Sequence, residues 1–187
     1  MLNIAVFVSG GGTNLQNLIE ADLPNGNISI VVSSSDKTYA LERAKKHKIN
    51  TLVFKKNDEE KYLLKRLESE NIGLIVLAGY LNILSPYFIK NFKGNIINIH
   101  PSLLPEYGGL GMYGLKVHEA VLKDKRHVSG ATVHKVTAEP DDGEIIEQIE
   151  VPVLKDDTPI SLQLRVMEKG EKILLPRVVK TLTERSK

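Results

Sequence analysis

The chain has 187 residues, 42% of them hydrophobic and 26% charged, the profile of a soluble globular protein with room for one substantial core. Its 25 basic and 23 acidic residues leave a net charge of +2 with no basic block, so nothing calls for nucleic acid, while an anionic small molecule stays compatible. The absence of cysteine excludes disulfides and cysteine-ligated metal. The apolar runs are too short to span a bilayer, and the N-terminus lacks a basic segment leading into an apolar signal core. A single domain over residues 1–187 in a cytoplasmic setting is the expectation.

Asn3 to Val8 is a continuous apolar strand of the kind buried on both faces of a parallel sheet. It breaks at Ser9-Gly10-Gly11-Gly12-Thr13-Asn14, after which Leu15, Leu18 and Ile19 recur at helical spacing. Three glycines let the backbone approach a ligand closely, and the free N–H groups of the first helical turn then face an anion such as phosphate, with Thr13 or Asn14 as the cap. A tight strand-to-helix turn that binds nothing is the alternative. A dinucleotide is poorly supported, because Leu15 stands where the third glycine of that fingerprint belongs and the second strand ends Val31-Val32-Ser33 without an acid.

The strand–helix pattern repeats: a strand over Ile28–Val32, a helical face at Ala40, Leu41 and Ala44, and a strand over Thr51–Phe54. A helix over Asp58–Glu70 follows, ended by Asn71-Ile72-Gly73, and then a strand over Leu74–Ala78. This alternation predicts an α/β fold, a Rossmann-like, mostly parallel doubly wound sheet with helices on both faces. Gly79 to Pro86 reads as an apolar connection.

The next strand leads into Asn98-Ile99-His100-Pro101-Ser102-Leu103-Leu104-Pro105. Alternation puts Asn98 and His100 on one face, and Pro101 stops the ladder just after them. An amide and an imidazole at the carboxyl end of a buried strand add nothing to an apolar core and stand where open α/β sheets bind ligands. The strands ending at Ser9, Ala78 and His100 are expected to open onto one edge of the sheet.

Beyond Pro105, Gly108, Gly109, Gly111 and Gly114 mark a loop, followed by a helix over Tyr113–Leu122 on which His118 reads as a surface or packing residue. Gly130 to Val136 reads as a strand, with His134 assigned a structural role and substrate contact as its alternative. Thr137 to Gly143 is a polar turn before a strand over Ile145–Val153. Its acids matter only if the loop folds back to His100, where a carboxylate would orient the imidazole and stabilise its protonated form. Thr158-Pro159 starts a long helix lined by Ile160, Leu164, Met167, Ile173 and Leu174 and bent at Pro176, and Glu184 to Lys187 are expected to fray.

The stretch Asn98 to Pro105, the turn Ser9 to Asn14, Leu77-Ala78-Gly79-Tyr80 and Asp141-Asp142-Gly143 together resemble the 10-formyltetrahydrofolate-dependent formyltransferases over nearly the whole chain. Gly111-Met112-Tyr113-Gly114 followed by Val117-His118-Glu119 adds to the likeness. In order and spacing the similarity is greatest to the branch that formylates the amine of glycinamide ribonucleotide in purine synthesis. The resemblance implies that Asn98, His100 and Asp141 are catalytic, with Asp141 raising the proton affinity of His100. It puts Gly12, Thr13 and Asn14 on the ribonucleotide phosphate and Glu171 on its ribose. Folate falls to Leu81, Asn82, Ile83 and Leu84, to Asn98, and to the loop Thr137, Ala138, Glu139, Pro140 and Asp141. 10-Formyltetrahydrofolate is the implied co-substrate, with no metal, no membrane and no nucleic acid partner, and a homodimer is compatible.

Three positions depart from the family pattern: Glu59 and Asn82 stand where arginines are usual, and Arg165 to Lys172 reads one residue long, with Lys172 in place of a histidine. The alternatives are a methionyl-tRNA formyltransferase, which carries an additional C-terminal domain; a formyltetrahydrofolate deformylase, which usually carries an N-terminal one; and a non-catalytic ligand-binding α/β domain. A chain of one domain that begins in its first strand is expected to be neither of the first two.

Overall fold

The computed structural model describes residues 1–185, so of the expected frayed end Ser186 and Lys187 lie outside the described residues, while Glu184 and Arg185 are helical. The strand order is β3-β2-β1-β4-β5-β6-β7. The α/β sheet expected from alternation is present. It is parallel from β3 (Asn50–Val53) through β2 (Gly26–Ser33), β1 (Leu2–Val8) and β4 (Ile72–Leu77) to β5 (Asn95–His100). At β6 (Val128–Lys135) and β7 (Ile145–Pro152) the pairing is antiparallel. By contact density the chain divides into two compact units, Met1–Asn98 with Val179–Lys187, and Ile99–Val178.

In the first unit, Ile4 to Val8 are fully buried because β1 is flanked by β2 and β4 and carries apolar residues on both faces. Of these, Ile4, Val6, Phe7 and Val8 each contribute about 1.5–3 kcal/mol through burial. The chain order reverses between β1 and β4, which makes the carboxyl ends of these two strands the switch point where such sheets leave a crevice. Helices α1 (Thr13–Glu20), α2 (Tyr39–Lys46) and α3 (Glu60–Ser69) fall where the periodicity puts them. The stop of α3 differs: Asn71 alone takes the left-handed conformation (φ 52°), and Ile72 and Gly73 already belong to β4. The connection after β4 also holds a helix the apolar pattern hides, α4 (Pro86–Asn91), capped by Ser85, whose Oγ accepts from the Phe88 N–H.

The second unit holds the β6–β7 hairpin with α5 (Leu115–Lys123) and α6 (Pro159–Val166). Thr158 and Ser161 form a capping box at the start of α6. The helix then widens into a π segment, Met167–Glu171, before α7 (Lys172–Arg185), which carries Pro176. A π turn takes up one residue more than an α turn without breaking the helix, and it lies within the segment that reads one residue long. The inward face is accordingly Leu162, Val166, Gly170, Leu174 and Leu175, while Ile160, Leu164 and Ile173 are exposed, so the expected lining is corrected.

Asp157 anchors the entry to α6. Its carboxylate is paired with Arg165 (Nη2 to Oδ1 2.7 Å), and accepts from the Leu154 N–H at 2.7 Å and the Ser161 hydroxyl at 2.7 Å. The Arg165 guanidinium holds this carboxyl far below the usual carboxylate range. A group whose pKa is depressed by folding contributes stability above its unfolded value, near 4, which is lost as pH falls toward the folded value. Asp157→Asn is expected to lower stability by about 2 kcal/mol at neutral pH and to flatten the acid limb of the curve, measured by urea melts between pH 7 and pH 3.

Candidate active site

In the first unit the glycine turn after β1 is held from two sides. Gly12 adopts the left-handed conformation (φ 74°), and a Cβ there would lie 2.7 Å from the Ala40 methyl, so only glycine fits. Gly12 therefore occupies the N-cap position of α1, and Thr13 and Asn14 lie inside its first turn; the expectation that one of them caps is corrected. Arg43 donates from Nε to the Gly11 carbonyl at 2.8 Å, and the Ala40 N–H donates to the Gly10 carbonyl at 3.3 Å. These straps draw carbonyl oxygens toward α2. The turn meets the one after β4 through Ser9, whose N–H donates to the Gly79 carbonyl (3.1 Å) and whose Oγ accepts from the Leu81 N–H (2.9 Å).

Leu81 and Ile83 are 62% and 66% exposed, whereas Leu84 is buried. Ile83 and Leu84 line a cavity of about 650 Å³ with Phe54, Tyr80 and Asn82. Lys56, Asp58, Glu59, Glu60 and Lys61 give the same cavity a charged side, and Leu81 is not among its lining residues. Burial, opposed by a hydrogen bond from Asn82, raises the Tyr80 hydroxyl. Asn98 stands half-buried on β5 in register with Leu77 of β4.

The second unit holds the titratable centre. His100, the last residue of β5, is 4% exposed. Its Nε2 donates to the Tyr107 carbonyl at 2.8 Å, and its Nδ1 faces Asp141 Oδ2 at 3.5 Å. The loop from Thr137 to Asp141 does fold back to His100. Asp141 sits at φ 58° next to a narrow closure in which the Lys135 N–H donates to the Glu144 carbonyl at 2.9 Å. A Cβ on Gly143 would lie 1.7 Å from the Lys135 carbonyl oxygen, so glycine is required there. Asp141 Oδ2 also accepts the Gly109 N–H at 3.0 Å, tying the glycine-rich loop to the carboxylate. Thr137, Ala138 and Glu139 are exposed along the same loop, with Pro140 half-buried.

Electrostatically the two groups diverge. Burial would raise the Asp141 carboxyl, but His134, His100 and the Gly109 N–H together hold it below its ordinary value. For His100 burial dominates and pushes the imidazole down, outweighing the pull of Asp141 and the Tyr107 carbonyl. Asp141 thus favours a cationic ring, as the resemblance implies, but the net direction is toward a neutral one.

Further residues belong to this centre: His134, for which the sequence suggests a structural role, and Thr132 and Gln148, which it does not single out. His134 Nε2 lies 3.5 Å from Asp141 Oδ1. Thr132 Oγ1 donates to the Ser102 carbonyl (2.7 Å) and accepts from the Leu104 N–H (3.1 Å). Gln148, its register partner on β7, donates to Thr132 Oγ1 and to the Leu104 carbonyl, both at 2.9 Å. These bonds clamp the turn that follows His100. Alternation places Thr132 and His134 on one face of β6, and that was the available clue. Glu171 closes the π segment. Among the described residues no group of histidine and acidic side chains is arranged to hold a metal ion, and no helix is long and apolar enough to cross a membrane.

A sequence model of the family described as "Formyl transferase" matches residues 2–179. A phosphoribosylglycinamide formyltransferase of Haemophilus influenzae is 41% identical over 194 residues, covering 98% of this chain and 88% of that protein. The chloroplastic phosphoribosylglycinamide formyltransferase of Arabidopsis thaliana is 37% identical. This chain spans 66% of its length. Among solved structures, phosphoribosylglycinamide formyltransferase from Anaplasma phagocytophilum superposes with a TM-score of 0.91 at 35% identity, covering 98% of this chain and 88% of that one.

His118 on α5 is a third buried imidazole beside His100 and His134, 1% exposed, with no hydrogen-bond partner on Nδ1 among the described residues. Burial, with a smaller contribution from His100, lowers it to about 4. The unfolded chain therefore binds a proton there that the folded one excludes, so stability declines as pH falls from about 6.5 toward 4. His118→Gln is expected to remove roughly 2 kcal/mol of that decline, read as a flatter Tm against pH.

Proposed function

Because the chain belongs to the formyl transferase family, we propose that it transfers the formyl group of 10-formyltetrahydrofolate to the amine of glycinamide ribonucleotide, a step of purine synthesis in the cytoplasm. The observation that carries this is the buried carboxylate–imidazole contact, Asp141 Oδ2 to His100 Nδ1, on a loop that bends back to the end of β5.

Each unit has a share of the work. In the first, the N–H groups of Gly12, Thr13 and Asn14 receive the ribonucleotide phosphate, presented by a turn whose carbonyls Arg43 and Ala40 draw aside. Leu81 to Leu84 and the cavity beside them receive the folate ring system, with Thr137 to Asp141 as the second folate segment. Glu171 takes the ribose hydroxyls. Residues 1–187 serve as one formyltransferase domain.

Chemically, the amine nitrogen forms a bond to the formyl carbon, the bond from that carbon to folate N10 breaks, the amine loses one proton and N10 gains one. Negative charge grows on the formyl oxygen, and Asn98 and His100 donate hydrogen bonds to it. The Tyr107 carbonyl keeps a proton on His100 Nε2, and donation to substrate exchanges that carbonyl for the formyl oxygen. Asp141, held ionised, supports the ring as positive charge develops and carries the proton between amine and N10. The step calls on no metal.

The test is to incubate the protein with 10-formyltetrahydrofolate, with and without glycinamide ribonucleotide, and follow tetrahydrofolate release. Release only with the amine is the expected result. Release without it indicates a hydrolase, and no release in either case indicates a binding module. His100→Ala and Asp141→Asn are each expected to lower kcat by about a hundredfold or more with the fold intact by circular dichroism; near-normal turnover in either overturns the assigned roles.

A further inference from the structure

Asp141 is faced by two histidines. His100 Nδ1 lies 3.5 Å from Oδ2 and His134 Nε2 lies 3.5 Å from Oδ1, with side chains 5%, 2% and 14% exposed for His100, His134 and Asp141. The second nitrogen of each ring is on a backbone carbonyl at 2.8 Å: His100 Nε2 on Tyr107 and His134 Nδ1 on Lys135. A carbonyl oxygen only accepts, so both of these nitrogens carry hydrogen. A neutral imidazole has one N–H. Two neutral rings would therefore direct a lone pair each at an ionised carboxylate, a repulsion that low-dielectric surroundings enlarge. One added proton turns one of the contacts into a charge-assisted hydrogen bond. A second would leave two buried cations on a single carboxylate.

We propose that His100, Asp141 and His134 form one proton-sharing cluster that holds a single proton beyond those of its two neutral rings, with His134 as a positioning residue for formyl transfer. This rests on the assignment of His100 and Asp141 to the transfer step. His134 keeps one carboxylate oxygen so that the other stays on His100, and it enlarges the pair into a site that can take up one proton and release another. During transfer the cluster accepts the proton leaving the amine nitrogen and delivers one to N10, so its own count is unchanged at the end. Neighbouring titratable groups are otherwise engaged: the Tyr107 hydroxyl with Asp124, Glu106 with Arg126, and Lys135 with Glu144. His118 is the remaining buried imidazole, and His100 contributes to lowering it.

The direct test is ¹⁵N NMR of the whole protein with labelled histidine, resonances assigned by comparison with His134→Gln and His100→Gln. At about pH 7 three of the four ring nitrogens of His100 and His134 are expected to be protonated, two from the neutral rings plus one; two protonated nitrogens overturn the proposal. In the transfer assay His134→Gln, whose amide donates without titrating, is expected to keep both KM values, to lower kcat on the order of tenfold, and to shift the acid limb of the kcat profile. A profile that superposes on that of the parent overturns the positioning role. If His134→Gln does not fold, the proton count in the parent, with His134 then assigned from the His100→Gln spectrum, still decides. If the parent transfers no formyl group, the functional assignment fails, while the NMR count tests the cluster separately.

Discussion

The contact between one carboxylate and two buried imidazoles is the interaction on which the second unit depends. Asp141 is brought to it by a loop that closes between Lys135 and Glu144, too narrow for any residue but glycine at 143. His100 is brought to it by the end of β5, and the turn that follows is clamped by Thr132 and Gln148 from the β6–β7 hairpin. His134 comes from β6 itself. The end of β5, β6 and the loop that follows β6 are thus held together by the Lys135–Glu144 backbone bond and by the side chains of Thr132 and Gln148. This preorganisation is what a transfer reaction needs, since groups already in place require no rearrangement as charge develops.

The first unit follows a different logic. It sets apolar side chains beside charged ones, since Lys56, Asp58, Glu59, Glu60 and Lys61 line the same cavity as Ile83 and Leu84. Leu81 and Ile83 stay uncovered, Ile83 at the edge of a cavity, and Arg43 and Ala40 hold the carbonyls of the glycine turn.

Much of this was legible in the residues. β1, β4 and β5 read directly, because runs such as Ile4 to Val8 are apolar on both faces and only a central parallel strand wants that. The turn itself is legible from its glycines and its cap is not, since nothing in Gly12-Thr13-Asn14 announces that Ala40 crowds the first of them. The helix at Pro86 was hidden in an apolar segment despite its Ser-Pro start. The lining of the C-terminal helices was misread because a π turn rotates everything after Val166, and periodicity assumes an unbroken α register. Asn98 and His100 read as a polar pair at the end of a strand from alternation alone, while their catalytic roles and the choice of Asp141 come from the family resemblance. His134 could be placed on a face of β6 but not against Asp141, because contact between a strand and a loop seven residues on depends on left-handed backbone that composition does not report.

Formyl transfer to an amine, rather than release to water, is the central claim, and the fate of the formyl carbon tests it most directly. With ¹³C-formyl-labelled 10-formyltetrahydrofolate and glycinamide ribonucleotide, the label is expected in the formamide of the ribonucleotide. Label recovered as free formate, or left on the folate, contradicts the account.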